Sequence, residues 1–228
     1  MGKAERHAKG GGQASARRAS FAGGRLERLS PAGETSRATL LRAAAECFGE
    51  TGYRQASIHA VARRCGATKG LVYHHYRSKG DLYLDAMRWG LNHLESAIQP
   101  VFASRERAAT RLKGMATSHL AALLAEPAAR HARRGNPPSD LGPDLEEEAA
   151  AITGFSLRYD GLFGAVLDDA RREGDADTRL PAGTTLPALL AVLDLPARSR
   201  EPFAPADLAL AALRAAGLQP AVLDEEFA

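Results

Sequence analysis

Residues 57–81 read SIHAVARRCGATKGLVYHHYRSKGD, and this stretch decides the fold of the chain. Ser57 and Thr68 are both residue types that begin a helix, and apolar side chains recur behind each of them at helical spacing. Gly66 lies between the two segments and can adopt a positive φ at little cost, so it marks a turn. Two short helices joined by a glycine-containing turn form a helix-turn-helix unit, whose second helix fits the major groove of DNA.

Helices are also predicted on both sides of this unit. Upstream, apolar side chains recur at helical spacing between residues 40 and 48, and Gly52 can supply the left-handed residue that ends that helix. Downstream, Ser78 opens a capping box with the aspartate three residues later. Residues 34–81 are therefore predicted to form a helix-turn-helix domain with three helices.

Residues 82–228 are predicted to form a second, helical domain, because apolar side chains recur at helical spacing between glycine- or proline-rich breaks. The helices of this part are predicted at about 79–98, 105–124, 144–172, 185–193 and 206–216. The first of them is a rod of about 30 Å that would join the two domains. The predicted fold class is all-α.

The composition excludes several classes of protein. The chain has 228 residues, of which 45% are apolar and 25% charged, as in ordinary globular proteins. No apolar run approaches the ~18 residues of a membrane span, and no secretion signal is evident, so we expect a cytoplasmic protein. Two cysteines are too few for a disulfide scaffold or a four-cysteine zinc site, and neither a metal nor a cofactor is predicted.

Charge is unevenly distributed along the chain. Residues 1–33 have seven Lys/Arg against two Asp/Glu, residues 34–81 have eight against four, and residues 82–228 have fifteen against twenty-one. A basic front on an acidic body suggests that the front meets a polyanion, although uneven charge can also arise by chance. Residues 1–33 are predicted to be a disordered basic tail, which either adds non-specific attraction to phosphate or has no function.

The stretches that build these helices resemble the DNA-binding domain of TetR-family transcriptional regulators. The matching segments are Thr39–Tyr53 for the first helix, Ser57–Ala62 for the second, Thr68–Tyr76 for the recognition helix and Ser78–Tyr83 for the start of the linker. Two residues depart from the family pattern. Gly80 stands where the family often has glutamate, and Tyr76 where it usually has phenylalanine.

The resemblance implies a DNA-binding site. Its residues would be Ser57, Thr68, Lys69, Gly70, Tyr73, His74 and Lys79. The two helix caps, Tyr73 and Lys79 would contact phosphates, which fix the register without reading sequence. Lys69, Gly70 and His74 would face base edges, where lysine can read guanine and glycine leaves room for close approach or for a thymine methyl group.

The resemblance also implies that three apolar or aromatic residues of the recognition helix point the other way and lie in the core, namely Leu71, Val72 and Tyr76. Two of the proposed DNA contacts have a simpler alternative. Tyr73 could be a packing residue, and His74 could be solvated without contacting anything.

The resemblance also implies what the helical body does. In TetR-like regulators the last two helices pair with their copies, which here would make a homodimer through residues 185–193 and 206–216. Two recognition helices about 34–36 Å apart would then read a near-palindromic operator. A small, largely apolar effector would bind among the body helices, and the candidate residues are Met115, His119, Phe155, Tyr159 and Phe163. Ordinary core packing is the alternative for each of them.

The predicted function is a ligand-responsive transcriptional regulator, a repressor rather than an activator, which its effector releases from DNA. An enzyme is not predicted, because the sequence has no G-x-S-x-G, Walker, G-x-G-x-x-G or H-E-x-x-H motif. A helical scaffold that binds only proteins would not need the pattern of residues 68–73 beside the Ser78 cap. The operator, the regulated genes and the effector are not encoded in any motif.

Overall fold

Eleven α-helices follow one another in residues 31–199 and 201–227, the part of the chain that the computed structural model describes. They are α1 Pro31–Gln55, α2 Ile58–Arg64, α3 Lys69–His75, α4 Lys79–Phe102, α5 Ala108–Ala125, α6 Pro127–Ala132, α7 Glu146–Glu173, α8 Ala182–Leu193, α9 Leu195–Arg198, α10 Pro205–Ala215 and α11 Pro220–Phe227. A 3₁₀ turn, Pro143–Leu145, precedes α7. These residues contain no β-strand, which confirms the predicted all-α fold.

The first helix is longer than the sequence pattern indicates. It begins at Pro31 rather than at Glu34, so residues 31–33 of the predicted tail are helical. The rest of that tail, residues 1–30, lies outside the described residues. At Gly52 the backbone leaves the helical conformation with φ 79°, and a short helical segment continues to Gln55. The predicted break at Gly52 is therefore confirmed, because glycine adopts a positive φ without a Cβ clash.

Residues 39–228 form one compact unit with three groups of buried side chains. The head cluster joins α1, α2, α3 and the start of α4, with Leu41, Val61 and Val72 among its buried members. The body cluster joins the end of α4 to α5, α7, α8 and α10. The junction cluster, around Met87 and Ile152, lies between α4, α6 and α7. The division of the chain at residue 81 into two domains stays a prediction.

Helix α4 runs through all three clusters. The predicted apolar stripe of this helix is confirmed, because Leu84, Met87, Leu91, Leu94 and Ile98 are all buried. The helix continues through Pro100 to Phe102, although the proline was expected to end it. A proline in the last turn removes a single N–H donor and leaves the preceding turns intact.

The short helix α6 lies between two predicted helices, in the stretch 126–143, where two glycines and three prolines between residues 135 and 143 predict a loop. Glu126 caps its start, because a carboxylate oxygen accepts from the N–H of Ala128 at 3.2 Å. Pro127 occupies the first turn, where a missing N–H costs nothing, so this proline begins a helix. Gly90 of α4 packs directly against the backbone of Ala128, and a Cβ at Gly90 would clash with that backbone.

Candidate nucleic-acid interface and effector region

The helix-turn-helix is built by α2 and α3, and each of them begins at a hydroxyl side chain. The Ser57 Oγ accepts a hydrogen bond from the N–H of Ala60 at 3.1 Å. The Thr68 Oγ1 accepts one from the N–H of Leu71 at 3.2 Å. In the turn between the helices, Gly66 has a φ of 68°. The two caps satisfy N–H groups that the first turn of a helix leaves free, and they fix where the recognition helix α3 begins.

Most of the predicted DNA-binding residues are exposed on these two helices. Val72 is buried and defines the inner face of α3, so Gly70 and His74 lie on the opposite face. Tyr73 is 47% exposed. The exposed residues of α2, α3 and their caps that were predicted to contact DNA are called the reading surface: Ser57, Thr68, Lys69, Gly70, Tyr73 and His74.

Lys79, the remaining predicted DNA contact, makes hydrogen bonds within the protein. Its Nζ donates to the backbone carbonyl of Tyr53 at 2.8 Å and to those of Arg54 and Ala56 at 3.2 Å. The ammonium group also lies 4.5 Å from the centre of the Tyr53 ring. Lys79 is half-buried and ties the start of α4 to the end of α1. Its contact with a phosphate stays a prediction.

Of the three residues of the recognition helix that are predicted to be buried, one is exposed, and another uses its hydroxyl group inside the core. Leu71 is 42% exposed, so its placement in the core is wrong. It lies about 100° around the helix from Val72, beyond the edge of the head cluster. Val72 and Tyr76 are buried as predicted. The Tyr76 hydroxyl donates to the Asp85 carboxylate of α4 at 2.6 Å, a bond that phenylalanine could not make.

The basic residues around the reading surface divide into two kinds. Arg63 and Lys69 are exposed. Arg64 instead holds α2 to α1, because its Nη2 lies 2.7 Å from a Glu50 carboxylate oxygen. The pKa of His75 is lowered, first by burial and then by the neighbouring His74, which disfavours a second positive charge at the end of α3.

Four of the five predicted effector-binding residues meet in the body cluster. Met115, His119, Tyr159 and Phe163 are fully buried. The Tyr159 hydroxyl lies 2.8 Å from His119 Nδ1. The Phe163 ring centre is 5.9 Å from that of His119 and 5.8 Å from that of Tyr159. Phe155 does not join them, because it is only half-buried and packs against the junction cluster.

A buried ion-pair network, which the sequence analysis missed, lies against His119. Arg133, at the end of α6, donates from Nε and Nη2 to the two carboxylate oxygens of Asp194 at 2.9 and 2.7 Å. Its Nη1 lies 2.7 Å from an Asp160 carboxylate oxygen. The Nε2 of His119 is 3.3 Å from Asp194. The ion-pair network therefore consists of Arg133, Asp160 and Asp194, with His119 at its edge.

Burial and pairing act against each other in this network. Burial disfavours the charge of Arg133, but the bond to Asp194 and the nearby carboxylates outweigh it and raise the pKa of Arg133. Burial likewise acts to raise the pKa of Asp194, but the bonds from His119 and Arg133 lower it overall. Burial raises the pKa of Asp160 and lowers that of His119. The Arg133–Asp194 pair therefore stays charged while His119 stays neutral near pH 7.

Helix α6 contacts both the network and the helices of the head. At its start, the buried Glu126 carboxylate accepts from Arg42 of α1 at 2.7 Å. Near its end, the His131 ring is 5.7 Å from the Phe48 ring and 4.5 Å from the Tyr83 ring. The network arginine follows at the C-terminus of the helix. A helix of six residues thus touches α1, α4 and the ion-pair network.

Two clefts open on the described surface away from the predicted effector residues. The larger, about 620 Å³, follows α7 and is lined by Asp177, Arg179 and Leu180 among others. The smaller, about 370 Å³, lies in the head between Cys47 and Arg63. Neither cleft is lined by a predicted effector residue.

Two further features concern only the described residues. Histidine, cysteine and carboxylate side chains form no group of three or more that could hold a metal ion. Among the helices of the same ranges, none combines the length and the apolar composition that a membrane span requires.

The fold and the exposed recognition helix α3 define a helix-turn-helix protein with a helical body, and the sequence comparisons agree. Residues 40–86 match the family model of bacterial regulatory proteins of the tetR family. The HTH-type transcriptional activator FasR of Mycolicibacterium smegmatis is 36% identical over 63 residues, which are 28% of this chain and 29% of FasR. The chain spans about a third of the length of the curated relatives it matches.

Solved structures extend the likeness to the body. The TetR-family regulator PfmR of Thermus thermophilus has a TM-score of 0.62 at 21% identity, over 75% of this chain and 92% of PfmR. AibR, solved in complex with isovaleryl coenzyme A and operator DNA, has a TM-score of 0.64 at 16% identity, over 76% of this chain and 94% of AibR. Residues 40–86 are therefore similar to the DNA-binding part of TetR-family transcriptional regulators, as the sequence predicts, and the rest of the chain shares the fold of solved members of that family.

Proposed function

We propose that this chain is a ligand-responsive repressor that binds a near-palindromic DNA operator as a homodimer and is released by a small, largely apolar effector. The observation that carries the proposal is the reading surface. Its side chains are exposed while two caps and the buried Val72 hold the recognition helix in place. A rigid, exposed helix with basic and hydrogen-bonding side chains is what readout in the major groove requires.

Within this proposal the reading surface has two tasks. Ser57, Thr68 and Tyr73 contact phosphates, because their hydroxyl groups are exposed at helix starts or on the outer flank of α3. Lys69 and His74 face base edges, where each can donate a hydrogen bond. The family match over residues 40–86 supports this division, since it covers both helices and the start of α4.

The dimer is proposed to form through α7 and α8. The family resemblance implies a contact through residues 185–193 and 206–216. The second of these segments buries Leu208, Ala212 and Leu213 inside its own subunit. Helix α7 instead exposes apolar surface, with Leu157 66% exposed.

Small residues continue that exposed surface along α7 and onto α8. Gly161 and Ala165 are exposed on the same side of α7 as Leu157, and Ala191 is exposed on α8. The two helices touch each other where Gly164 packs near Leu186. Exposed apolar and small side chains on two helices that touch each other suit a four-helix contact between two copies of the chain.

The effector is proposed to act on the body cluster beside the ion-pair network. Met115, His119, Tyr159 and Phe163 offer apolar and aromatic surface with two hydrogen-bonding groups, which suits a largely apolar ligand. These residues are fully packed, so binding requires the body cluster to open. AibR, which shares the fold, is solved with both isovaleryl coenzyme A and operator DNA, in keeping with two sites on one chain.

Helix α6 offers a route from the effector to DNA. An effector that moves Arg133 or His119 displaces a helix whose other contacts, Arg42–Glu126 and His131 with Tyr83, reach α1 and α4. The effector shifts the equilibrium between two dimer arrangements by its differential affinity for them.

The test is selection of bound sequences from a random duplex library with the purified full chain at two salt concentrations. The proposal predicts enrichment of one inverted repeat by the wild type. The His74→Ala variant should lose preference at one or two positions of each half-site, while the matched surface variant Leu124→Ala, outside the reading surface, should select the same repeat. Weak, salt-sensitive binding without an enriched motif would contradict the proposal and favour a protein-binding scaffold.

A further inference from the structure

Leu71 is an exposed apolar side chain on the helix proposed to enter the groove. It occupies the first turn of α3, and its backbone N–H is bound by the Thr68 side chain at 3.2 Å. Its side chain is 42% exposed, while the next residue, Val72, is buried. Among the described residues of α2 and α3, only Leu71 and Tyr73 are large hydrophobic residues exposed to this degree.

Gly70 is a helical glycine that the chain's own packing does not require. A Cβ at this position would meet nothing closer than the Thr68 Oγ1 at 3.9 Å, an ordinary contact. Its backbone is also outside the left-handed region, so an alanine could adopt the same conformation. Glycine inside a helix nevertheless reduces its stability. The space that it leaves beside Leu71 therefore opens outward, toward whatever the helix contacts.

We infer that Leu71 contacts the C5 methyl group of a thymine in each operator half-site and that Gly70 provides the space for it. The inference rests on the proposed function. The thymine methyl is the apolar group that base edges present in the major groove, and it distinguishes thymine from cytosine and from uracil. Leu71 lies on the flank of the face formed by Gly70 and His74, so a base approached by that face brings its methyl group to the leucine.

The experiment replaces each thymine of the selected operator by deoxyuridine, one symmetry-related pair at a time. Deoxyuridine keeps the hydrogen-bonding groups of thymine and removes only the methyl group. Wild-type affinity should fall about fourfold per methyl at one pair of positions, which is the value of burying one CH₂-sized group. The Leu71→Ala variant should bind the thymine and deoxyuridine operators within a factor of about 1.5 of each other at that pair, because it lacks the contact.

Two variants serve as controls. Leu124→Ala removes another exposed leucine from a helix outside the reading surface and should keep the wild-type ratio between the two operators. Gly70→Ala should fold as the wild type and should lower affinity for the thymine operator more than for the deoxyuridine operator. Helical circular dichroism checks the fold of each variant.

The outcomes separate this inference from the proposed function. If no inverted repeat is selected, the proposed function fails and this inference fails with it. If a repeat is selected but every thymine pair tolerates deoxyuridine, or if Leu71→Ala keeps the wild-type ratio, only the assignment of Leu71 is overturned. If Leu71→Ala misfolds, Gly70→Ala tests the assignment, because an equal loss of affinity for the thymine and deoxyuridine operators in that variant would overturn it.

Discussion

The reading surface and the ion-pair network are both polar, but they are built in opposite ways. The reading surface comes from one stretch, 57–74, and its side chains stay in water. The network draws Arg133, Asp160 and Asp194 from the ends or middle of three separate helices, and Arg133 and Asp194 are buried. The reading surface needs only two capped helices to be in place, whereas the ion-pair network needs the whole body to be folded. A variant in the network therefore tests whether the body is folded, whereas a variant of the reading surface tests only the head.

The largest expected effect comes from breaking the network. Arg133→Met should lower the free energy of unfolding by about 3–5 kcal/mol, because it leaves the buried Asp194 carboxylate without its partner. Chemical denaturation measures the change. Arg179→Met, which breaks the exposed pair with Asp177, is the matched control and should leave the denaturation midpoint unchanged. Equal midpoints for the two variants would contradict the claim that the network holds the body together.

The next effect concerns the bond between the recognition helix and α4. Tyr76→Phe should lower the free energy of unfolding by about 1.5–3 kcal/mol, because the buried Asp85 carboxylate loses a hydroxyl donor. Tyr73→Phe removes an exposed hydroxyl from the same helix and should not change stability. Thermal or urea unfolding of both variants tests the prediction. A Tyr76→Phe protein as stable as the wild type would mean that Asp85 is satisfied by its other surroundings.

The free energy of unfolding should also depend on pH, through a buried histidine of α6. Burial, and next the charge of Arg134, lower the pKa of His131 to about 3. Between pH 6.5 and 5 the unfolded chain therefore binds a proton there that the native protein does not, and stability falls as the pH falls. The slope from this histidine is at most about 1.4 kcal/mol per pH unit.

His131→Phe tests this origin of the slope. The variant keeps an aromatic ring beside Phe48 and Tyr83 and should show a shallower loss of stability between pH 6.5 and 5. Urea unfolding at a series of pH values gives the slope. An unchanged slope in the variant would show that His131 is not the group that resists protonation.

The smallest expected effect on stability concerns Lys79, whose structural role can be measured separately from a contact with DNA. Lys79→Ala should lower the free energy of unfolding by about 0.5–1.5 kcal/mol, because three carbonyls at the end of α1 lose their donor. Lys69→Ala, on the exposed recognition helix, should not. If Lys79 also contacts a phosphate, its variant should reduce the slope of log affinity against log salt by about one. An unchanged salt slope would make Lys79 a structural residue only.

The sequence predicts the head well because its signals are local. The caps at Ser57 and Thr68 and the turn at Gly66 lie within a few residues of the elements they determine, and the structure places all three as expected. Leu71 is the exception. The family resemblance implies that Leu71 is in the core with Val72, whereas the width of the buried face depends on which helices pack against α3.

The body is less predictable because its contacts are distant in sequence. Arg133 and Asp194 are 61 residues apart, so no local pattern marks either of them as buried. The loop predicted over 126–143 rests on the glycines and prolines between residues 135 and 143, whereas α6 precedes them and begins at Pro127, a residue type favoured in the first turn. The aromatic effector candidates Phe155, Tyr159 and Phe163 recur at helical spacing, but that spacing does not show that Phe155 packs against a different cluster from the other two.

The central claim is that two copies of the reading surface bind one duplex together. Hydroxyl-radical footprinting of the full chain on its selected operator tests this most directly. We expect two protected patches centred about 34–36 Å apart on one face of the DNA, and loss of both patches in a His74→Ala, Lys69→Ala double variant. A single protected patch, or protection spread evenly along the duplex and unaffected by that variant, would contradict it.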